Sequence, residues 1–393
     1  MRVVIVGGGM AGTRLAAELS TRDTAGRLSV TVVGAEQAPG YNRVLLGDLL
    51  AGQLSTSDLR LPGSTTAAVR TGDSVVGLDL AHRSVRLRSG ATLGYDALVL
   101  ATGSAPVLPP LPAPHVYPLR TVADYTRLLD ALPGASRVVV VGGGPLGVET
   151  ASTLAGRGIE VALVHRHGRL LPADLDAEGG GALRRFLRSR GVTTWLASAA
   201  VGLRTARRGR LDGVELDGGR CVPADLVVVA CGAQPRVALA RGAGLRLAAG
   251  GVAVDDALRT SDPHVYAVGD CAAHPGARRG HATPAWSQAG VLADRLSGRD
   301  PAARYRGTPH VLRLRAGLEV VAAGDQEASQ TDRVVQVADG TRHAYHRLVV
   351  RAGRVAGLVA IGEHDAVPTF VDWYERGTPV PAAPFGMPSD RRS

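Results

Sequence analysis

Residues 2–6, Arg-Val-Val-Ile-Val, are followed at once by glycine, and the same kind of short apolar run recurs along the chain. Val3 to Val6, Ser29 to Val33, Ala97 to Leu100, Arg137 to Val141, Glu160 to Val164, Leu226 to Val229 and Val265 to Val268 are rich in β-branched residues, and several read as continuously apolar. Runs of that kind suit parallel strands covered on both faces. Two of them pass through a glycine loop into helical periodicity, over Met10 to Leu19 and Leu146 to Ala155. The pattern predicts an α/β chain carrying two copies of one βαβ unit, each a nucleotide-binding half. After about Pro301 the character changes. His310 to Val321, Arg333 to Val337 and His346 to Ile361 alternate apolar and polar positions around turns at Ala338-Asp339-Gly340 and Arg351-Ala352-Gly353-Arg354. Antiparallel strands with one wet face look this way, so a smaller α+β domain is expected at the C-terminal end, closing in a loose tail rich in Pro, Gly and Arg.

The first glycine loop is Gly7-Gly8-Gly9-Met10-Ala11-Gly12, between a strand and a helix. In such a loop Gly7 permits the tight turn, Gly9 lets the backbone approach a pyrophosphate, and Gly12 lets helix and strand pack closely, while the helix N-terminus offers N–H donors. Glu36, 24 residues after Gly12 at the end of the second strand, is placed to accept ribose hydroxyls. The second loop is Gly142-Gly143-Gly144-Pro145-Leu146-Gly147. Its second strand ends in His165-Arg166-His167, 18 residues after Gly147, with Arg169 close behind and no carboxylate. Histidine and arginine there suit a 2′-phosphate, which tips the expectation from NADH toward NADPH. Two such loops on one chain imply two dinucleotides, and FAD plus a nicotinamide is the economical pair. Asp262 to Ala272 adds a strand ending in Gly269-Asp270, where Asp270 would hold the ribityl chain, and Tyr95 to Ser104 adds a strand running into the small-residue crossover Ala101-Thr102-Gly103. His165 and His167 have a metal-like spacing but no third ligand nearby, so no metal is expected.

Composition removes whole chemistries. All 45 basic residues are arginine and none is lysine, which excludes a Schiff-base lysine, a P-loop lysine and an amine general base. Cys221, Cys231 and Cys271 are scattered and odd in number, the pattern of neither a disulfide framework nor a zinc site, and they favour a reduced, cytoplasmic setting. No signal peptide or membrane span is read from the chain. The net charge of +10 is compatible with a nucleic-acid, membrane or acidic-protein partner, and equally with a solvated surface whose only cation is arginine.

At these motifs the chain resembles the two-dinucleotide flavoprotein reductases of the glutathione-reductase-like superfamily, over nearly its whole length. More specifically, Tyr41-Asn42-Arg43-Val44-Leu45-Leu46, Leu50-Ala51-Gly52, Leu119-Arg120-Thr121-Val122-Ala123-Asp124 and Asp225 to Gly232 resemble the reductase module of assimilatory NAD(P)H nitrite reductase large subunits. Rubredoxin and ferredoxin reductases are similar more distantly. The resemblance implies two Rossmann-like domains, with FAD on residues 1–112 and 237–305, NAD(P)H on the inserted 113–236, and a C-terminal interface domain over 306–393. It implies that Arg43 contacts FAD, that Arg120 and Gly232 belong to the cofactor sites, and that Glu149 sits near the flavin where the nicotinamide docks. Departures matter too. No cysteine stands early enough for a thiol relay. The lysine that many relatives keep near flavin N5, in the segment matching Leu46-Gly47-Asp48, is missing, which leaves Glu149, Arg43, Asp48 or the helix near Trp286 to tune the flavin. Nitrite reductase large subunits continue into iron–sulfur and sirohaem regions that this sequence does not reach, so nitrite reduction by this polypeptide alone is not expected.

The expected activity is hydride transfer from NAD(P)H to FAD, then electron transfer to an acidic acceptor protein, a ferredoxin, a rubredoxin or a sirohaem/iron–sulfur partner, with no nucleic acid and no membrane involved and the chain a monomer or homodimer. Direct reduction of a nitro compound, quinone or oxygen is the alternative enzyme, and a non-catalytic redox-sensing flavoprotein the alternative binding protein. A helix from Ala285 to Leu296 after Thr283-Pro284 would aim its N-terminal dipole at the reduced flavin, with Trp286 beside the ring, while His274 and His281 read as loop residues.

Overall fold

The computed structural model describes residues 1–111, 114–206, 209–277, 280–362, 365–381 and 384; the tail expected to be loose lies almost wholly outside them. The chain divides into two compact units, residues 1–106 with 233–308 and residues 107–232 with 309–393, so the second is inserted into the first and also includes the C-terminal segment.

The first unit is built on a five-stranded parallel sheet in the order 265–267, 97–100, 2–6, 29–34, 68–71. Val3, Ile5, Leu98, Val99 and Val265 are completely inaccessible, which is why these segments carry no polar alternation: both faces are covered. Each such side chain contributes about 1.5–3 kcal/mol by leaving water. Helices Met10–Arg22 and Ala282–Ser297 pack against one another, tied by Arg22 Nε to Asp294 Oδ1 at 2.6 Å. A three-stranded meander, 75–79, 84–87 and 92–94, interrupts the alternation of strand and helix. At the junctions with the inserted segment, Ser104–Pro106 and Ala233–Pro235 pair antiparallel.

The second unit repeats the plan: a parallel sheet in the order 192–196, 160–165, 137–141, 226–229, 116–118, with helices Pro145–Gly156 and Ala177–Ser189 following the central strands. Its C-terminal part is a five-stranded antiparallel sheet in the order 311–315, 319–324, 354–361, 344–351, 333–339. Helix Val367–Arg376 buries Val367, Phe370 and Val371 and completes the expected α+β character. That helix was legible as an i, i+3, i+4 apolar stripe closed by Gly377, but its ten residues follow a run of five strands and are easily read as one more. No helix among the described residues is long and apolar enough to cross a membrane.

Candidate functional site

The two glycine loops have the same geometry, and it separates two kinds of glycine. Gly7 and Gly142 both turn at φ 122°, a conformation costly for any residue with a Cβ. A methyl group would lie 2.1 Å from the Ala101 carbonyl oxygen at Gly7 and 2.2 Å from that of Ala230 at Gly142. At Gly12 and Gly147 it would lie 1.9 Å and 1.7 Å from the carbonyl oxygens of Gly7 and Gly142. These four glycines are required by the protein's own backbone. Gly9 and Gly144 are not. The nearest atom to a methyl at Gly9 is Arg43 Nη2 at 3.8 Å, and at Gly144 nothing lies within 4 Å. The open side of each middle glycine is thus a cradle that another molecule's backbone-hugging phosphates can enter.

The helix ends agree with this. Helices 122–131 and 177–189 are capped by the side chains of Thr121 and Asp176, which accept from the first-turn amides of Asp124 and Gly179. The helices opened by Gly9 and Gly144 have no side-chain cap, so their first-turn N–H groups are left for another acceptor. A dinucleotide pyrophosphate fits each loop on both counts.

In the first unit the predicted residues converge at the carboxyl ends of the central strands. Gly269 lies against helix 10–22, which with helix 145–156 is one of the two fingerprint helices opened by the glycine loops, and against helix 282–297, since a methyl on it would stand 3.0 Å from Ala11 Cβ and 3.8 Å from Ala285 Cβ. Ala101, Thr102 and Gly103 follow the strand beside Gly7, and the Thr102 hydroxyl donates to the Arg236 carbonyl at 2.8 Å. Asp270 is oriented by two donors, Ser104 Oγ at 2.8 Å and the Gly280 amide at 2.9 Å. Gln288 was not anticipated: buried, it accepts the Gly269 amide at 2.7 Å and so fixes the Gly-Asp turn. The available signal was an amide side chain on the apolar stripe Ala285, Ala289, Leu292. Glu36 is held by Arg43 and by the Tyr41 hydroxyl, the latter at 2.6 Å, so the carboxylate expected to read a ribose and the arginine expected to contact FAD form one cluster beside Gly9. Arg43 Nε and Trp286 Nε1 are buried without a hydrogen-bond partner among the described residues, donors of the kind a polar ligand satisfies. Helix 282–297 starts three residues earlier than expected, placing Pro284 within its first turn. His274 is buried, accepts the Gly276 amide and faces Asp256, which gives it a structural role.

In the second unit Gly142 to Gly147 and the end of strand 160–165 lie around the second cradle, and the Ala230–Cys231 backbone that leads into Gly232 lies against Gly142. The expected positive charge on His165 is not there. Its Nδ1 accepts the Gly143 amide at 3.0 Å, and burial, reinforced by His167 and Arg166, pushes the imidazole from its ordinary 6.5 to about 4. The ring is therefore neutral near pH 7, and the cation beside the loop is the exposed Arg166. Because this pKa is lowered in the fold, the stability it brings is complete above pH 6.5 and lost as pH falls toward 4. Denaturant unfolding at pH 7.5 and pH 5 should show a smaller loss for His165→Asn than for the unsubstituted chain; equal losses would contradict the assignment. Arg120 precedes the capping box of helix 122–131 and donates its amide to Asp124 Oδ2 at 3.1 Å. Glu149, on the fingerprint helix, accepts the Arg315 amide at 3.2 Å. Cys221, Cys231 and Cys271 are all free thiols; burial raises the pKa of Cys231 and Cys271. Among the described residues no three His, Cys, Asp or Glu side chains come together as metal ligands.

Comparison with known proteins agrees with this architecture. A nitrite reductase [NAD(P)H] of Bacillus subtilis (strain 168) is 32% identical over 92% of this chain and 46% of its own length, so the chain spans about half of that relative. A rubredoxin-NAD(+) reductase of Alcanivorax borkumensis is 30% identical over 92% of this chain and 95% of its own. A solved putidaredoxin reductase, in covalent complex with putidaredoxin, superposes with a TM-score of 0.86 at 25% identity, covering 98% of this chain and 96% of that one. The model of the pyridine nucleotide-disulphide oxidoreductase family matches residues 1–289, well over half of the chain, and the chain belongs to that family.

Proposed function

We propose that this protein is an FAD-dependent NAD(P)H oxidoreductase that delivers electrons to an acidic redox partner protein. In this reading residues 1–112 and 237–305 hold FAD, 113–236 hold the nicotinamide dinucleotide, and 306–393 serve as an interface domain. The observation that carries the reading is the duplicated cradle: two uncapped helix N-termini, each behind a middle glycine with open space where a side chain would stand. One dinucleotide per cradle, FAD at Gly9 and the nicotinamide at Gly144, is the assignment, and the nicotinamide is the part of it that its relatives' names also support.

When both are bound, the cofactors supply the redox chemistry itself, a hydride passing from nicotinamide to flavin. The chain's own residues bind and orient. Gly9, Met10, Ala11 and the first-turn amides cradle one pyrophosphate, with Arg43 and Glu36 at the adjoining ribose and Asp270 beyond it. Gly144, Pro145 and Leu146 cradle the other. Ala101 to Gly103, Arg120 and Gly232 shape the loops around the cofactors, Trp286 offers its indole N–H, and Glu149 is assigned to the nicotinamide's docking position. Positioning of this kind supplies much of the rate when little acid–base work is required.

With His165 neutral, discrimination of the 2′-phosphate falls to Arg166, and NADPH is favoured over NADH on that ground. The arginine-only surface, with net charge +10, complements an acidic acceptor such as a ferredoxin or rubredoxin, and the partner in the putidaredoxin complex supports a protein as acceptor. The test is anaerobic mixing followed by turnover. NADPH is expected to bleach the bound flavin, and turnover with an acidic ferredoxin to fall steeply with added salt. Flavin left oxidised by both nicotinamides would sink the enzyme reading. Slow, salt-independent turnover with ferredoxin beside fast turnover with a quinone would sink the protein acceptor, and a clear preference for NADH would sink the role of Arg166.

A further inference from the structure

The segment between strand 160–165 and helix 177–189 carries Arg166, His167 and Arg169 and lies over the second glycine loop, where the Leu171 amide donates to the Gly143 carbonyl at 2.9 Å. Leu171 is completely enclosed, with 1% of its surface exposed, and sits at φ 48°, a left-handed conformation that a branched side chain adopts only when its surroundings impose it. On its N-terminal side the constraint is the backbone: the Ala197 and Ser198 amides donate to the His167 and His165 carbonyls at 2.9 and 3.0 Å. On its C-terminal side it is a pair of carboxylates gripped by the C-terminal antiparallel sheet and the strand entering it. Asp174 Oδ1 lies 3.1 Å from His310 Nε2. Asp176 Oδ2 accepts the Tyr345 hydroxyl at 2.6 Å and faces Arg347 Nε at 3.7 Å, while its Oδ1 accepts the Gly179 amide at 3.2 Å. The Asp174 side chain is only 7% exposed and Tyr345 only 2%, and carboxylates so placed are tolerated only with partners in position. The same part of the chain also grips the fingerprint helix, through the Arg315 amide on Glu149 and the Ala316 carbonyl accepting from Ser152.

We propose that Asp174 and Asp176, held by His310, Tyr345 and Arg347, are positioning residues for the nicotinamide dinucleotide, clamping residues 166–176 in the conformation that presents Arg166 and the strained Leu171 turn to the second cradle. The proposal rests on reading that cradle as the nicotinamide site. It makes the C-terminal sheet part of dinucleotide binding, beyond any role as an interface domain.

The experiment uses the full-length holoprotein and compares Tyr345→Phe and His310→Asn with Arg351→Gln, which removes a half-exposed arginine of the same sheet from its ion pairs to Asp325 and to the buried side chain of Asp332. For each, NADP⁺ dissociation constants are measured by calorimetry, with FAD content, melting temperature and the stopped-flow rate of flavin reduction at saturating NADPH. Tyr345→Phe and His310→Asn are expected to weaken NADP⁺ binding about tenfold, the scale of losing one hydrogen bond to a charged group, with FAD content and the saturated rate within about twofold of the unsubstituted protein. Arg351→Gln is expected to bind NADP⁺ normally. If Tyr345→Phe and His310→Asn lower the melting temperature yet bind NADP⁺ as tightly as before, or if Arg351→Gln weakens binding equally, the clamp is wrong and the nicotinamide site stands. Should Tyr345→Phe fail to fold, His310→Asn decides alone. An unsubstituted protein that binds neither NADP⁺ nor NAD⁺ overturns both.

Discussion

Gly9→Glu is expected to yield folded, colourless protein. The open side of Gly9 accepts a side chain without meeting backbone, because the nearest atom to a Cβ there is the end of the Arg43 guanidinium at 3.8 Å. The glutamate therefore spares the fold and occupies the cradle. It puts a negative charge where a pyrophosphate would lie and draws Arg43 away from Glu36. Like charges in contact cost several kcal/mol, so FAD affinity should fall on the order of 10³-fold. Circular dichroism and a cooperative melt would establish folding, and the flavin absorbance of the purified protein would read the result. A yellow Gly9→Glu protein would remove the first loop from FAD binding. Gly12→Val makes the contrast: a methyl already stands 1.9 Å from the Gly7 carbonyl oxygen, and that variant is expected not to fold.

Gly144→Glu is expected to separate the two halves of the activity. Nothing lies within 4 Å of a Cβ at Gly144, so the second unit keeps its structure and the first keeps its flavin. The nicotinamide's pyrophosphate would then meet a carboxylate at the start of helix 145–156, and kcat/KM with NADPH should fall on the order of 10³-fold for the same reason. Dithionite should still reduce the flavin fully. A Gly144→Glu protein that is yellow and reduced by NADPH at the normal rate would place the nicotinamide elsewhere, while loss of flavin from this variant would show that the two loops do not act on separate dinucleotides.

The central strands, the two fingerprint helices and the C-terminal antiparallel sheet were legible along the chain because each depends on local periodicity. Val3 to Val6 and Val138 to Val141 must be continuously apolar if both faces of their sheet are covered, and a strand passing through glycines into a helix leaves a fixed spacing whatever surrounds it. The same spacing marked Gly7, Gly12, Gly142 and Gly147.

It could not say which of the loop glycines answer to the protein's own backbone and which face a ligand, because that depends on the carbonyls of Ala101 and Ala230, about 90 residues away just past the ends of neighbouring strands. Nor could it supply the charge state of His165: histidine at a strand end reads as a cation until the Gly143 amide and the burial around the ring are known, and both favour the neutral form. Gln288 on Gly269, and His310, Tyr345 and Arg347 on the carboxylates of 174 and 176, join residues 19 to 171 positions apart, and nothing in local composition pairs them. Dinucleotide loops and sheet type thus follow from the order of residues, since short-range sterics and burial determine both. The electrostatics of the site, and the role of the C-terminal sheet in holding it, arise from long-range packing, which alone decides what each polar group can bond to.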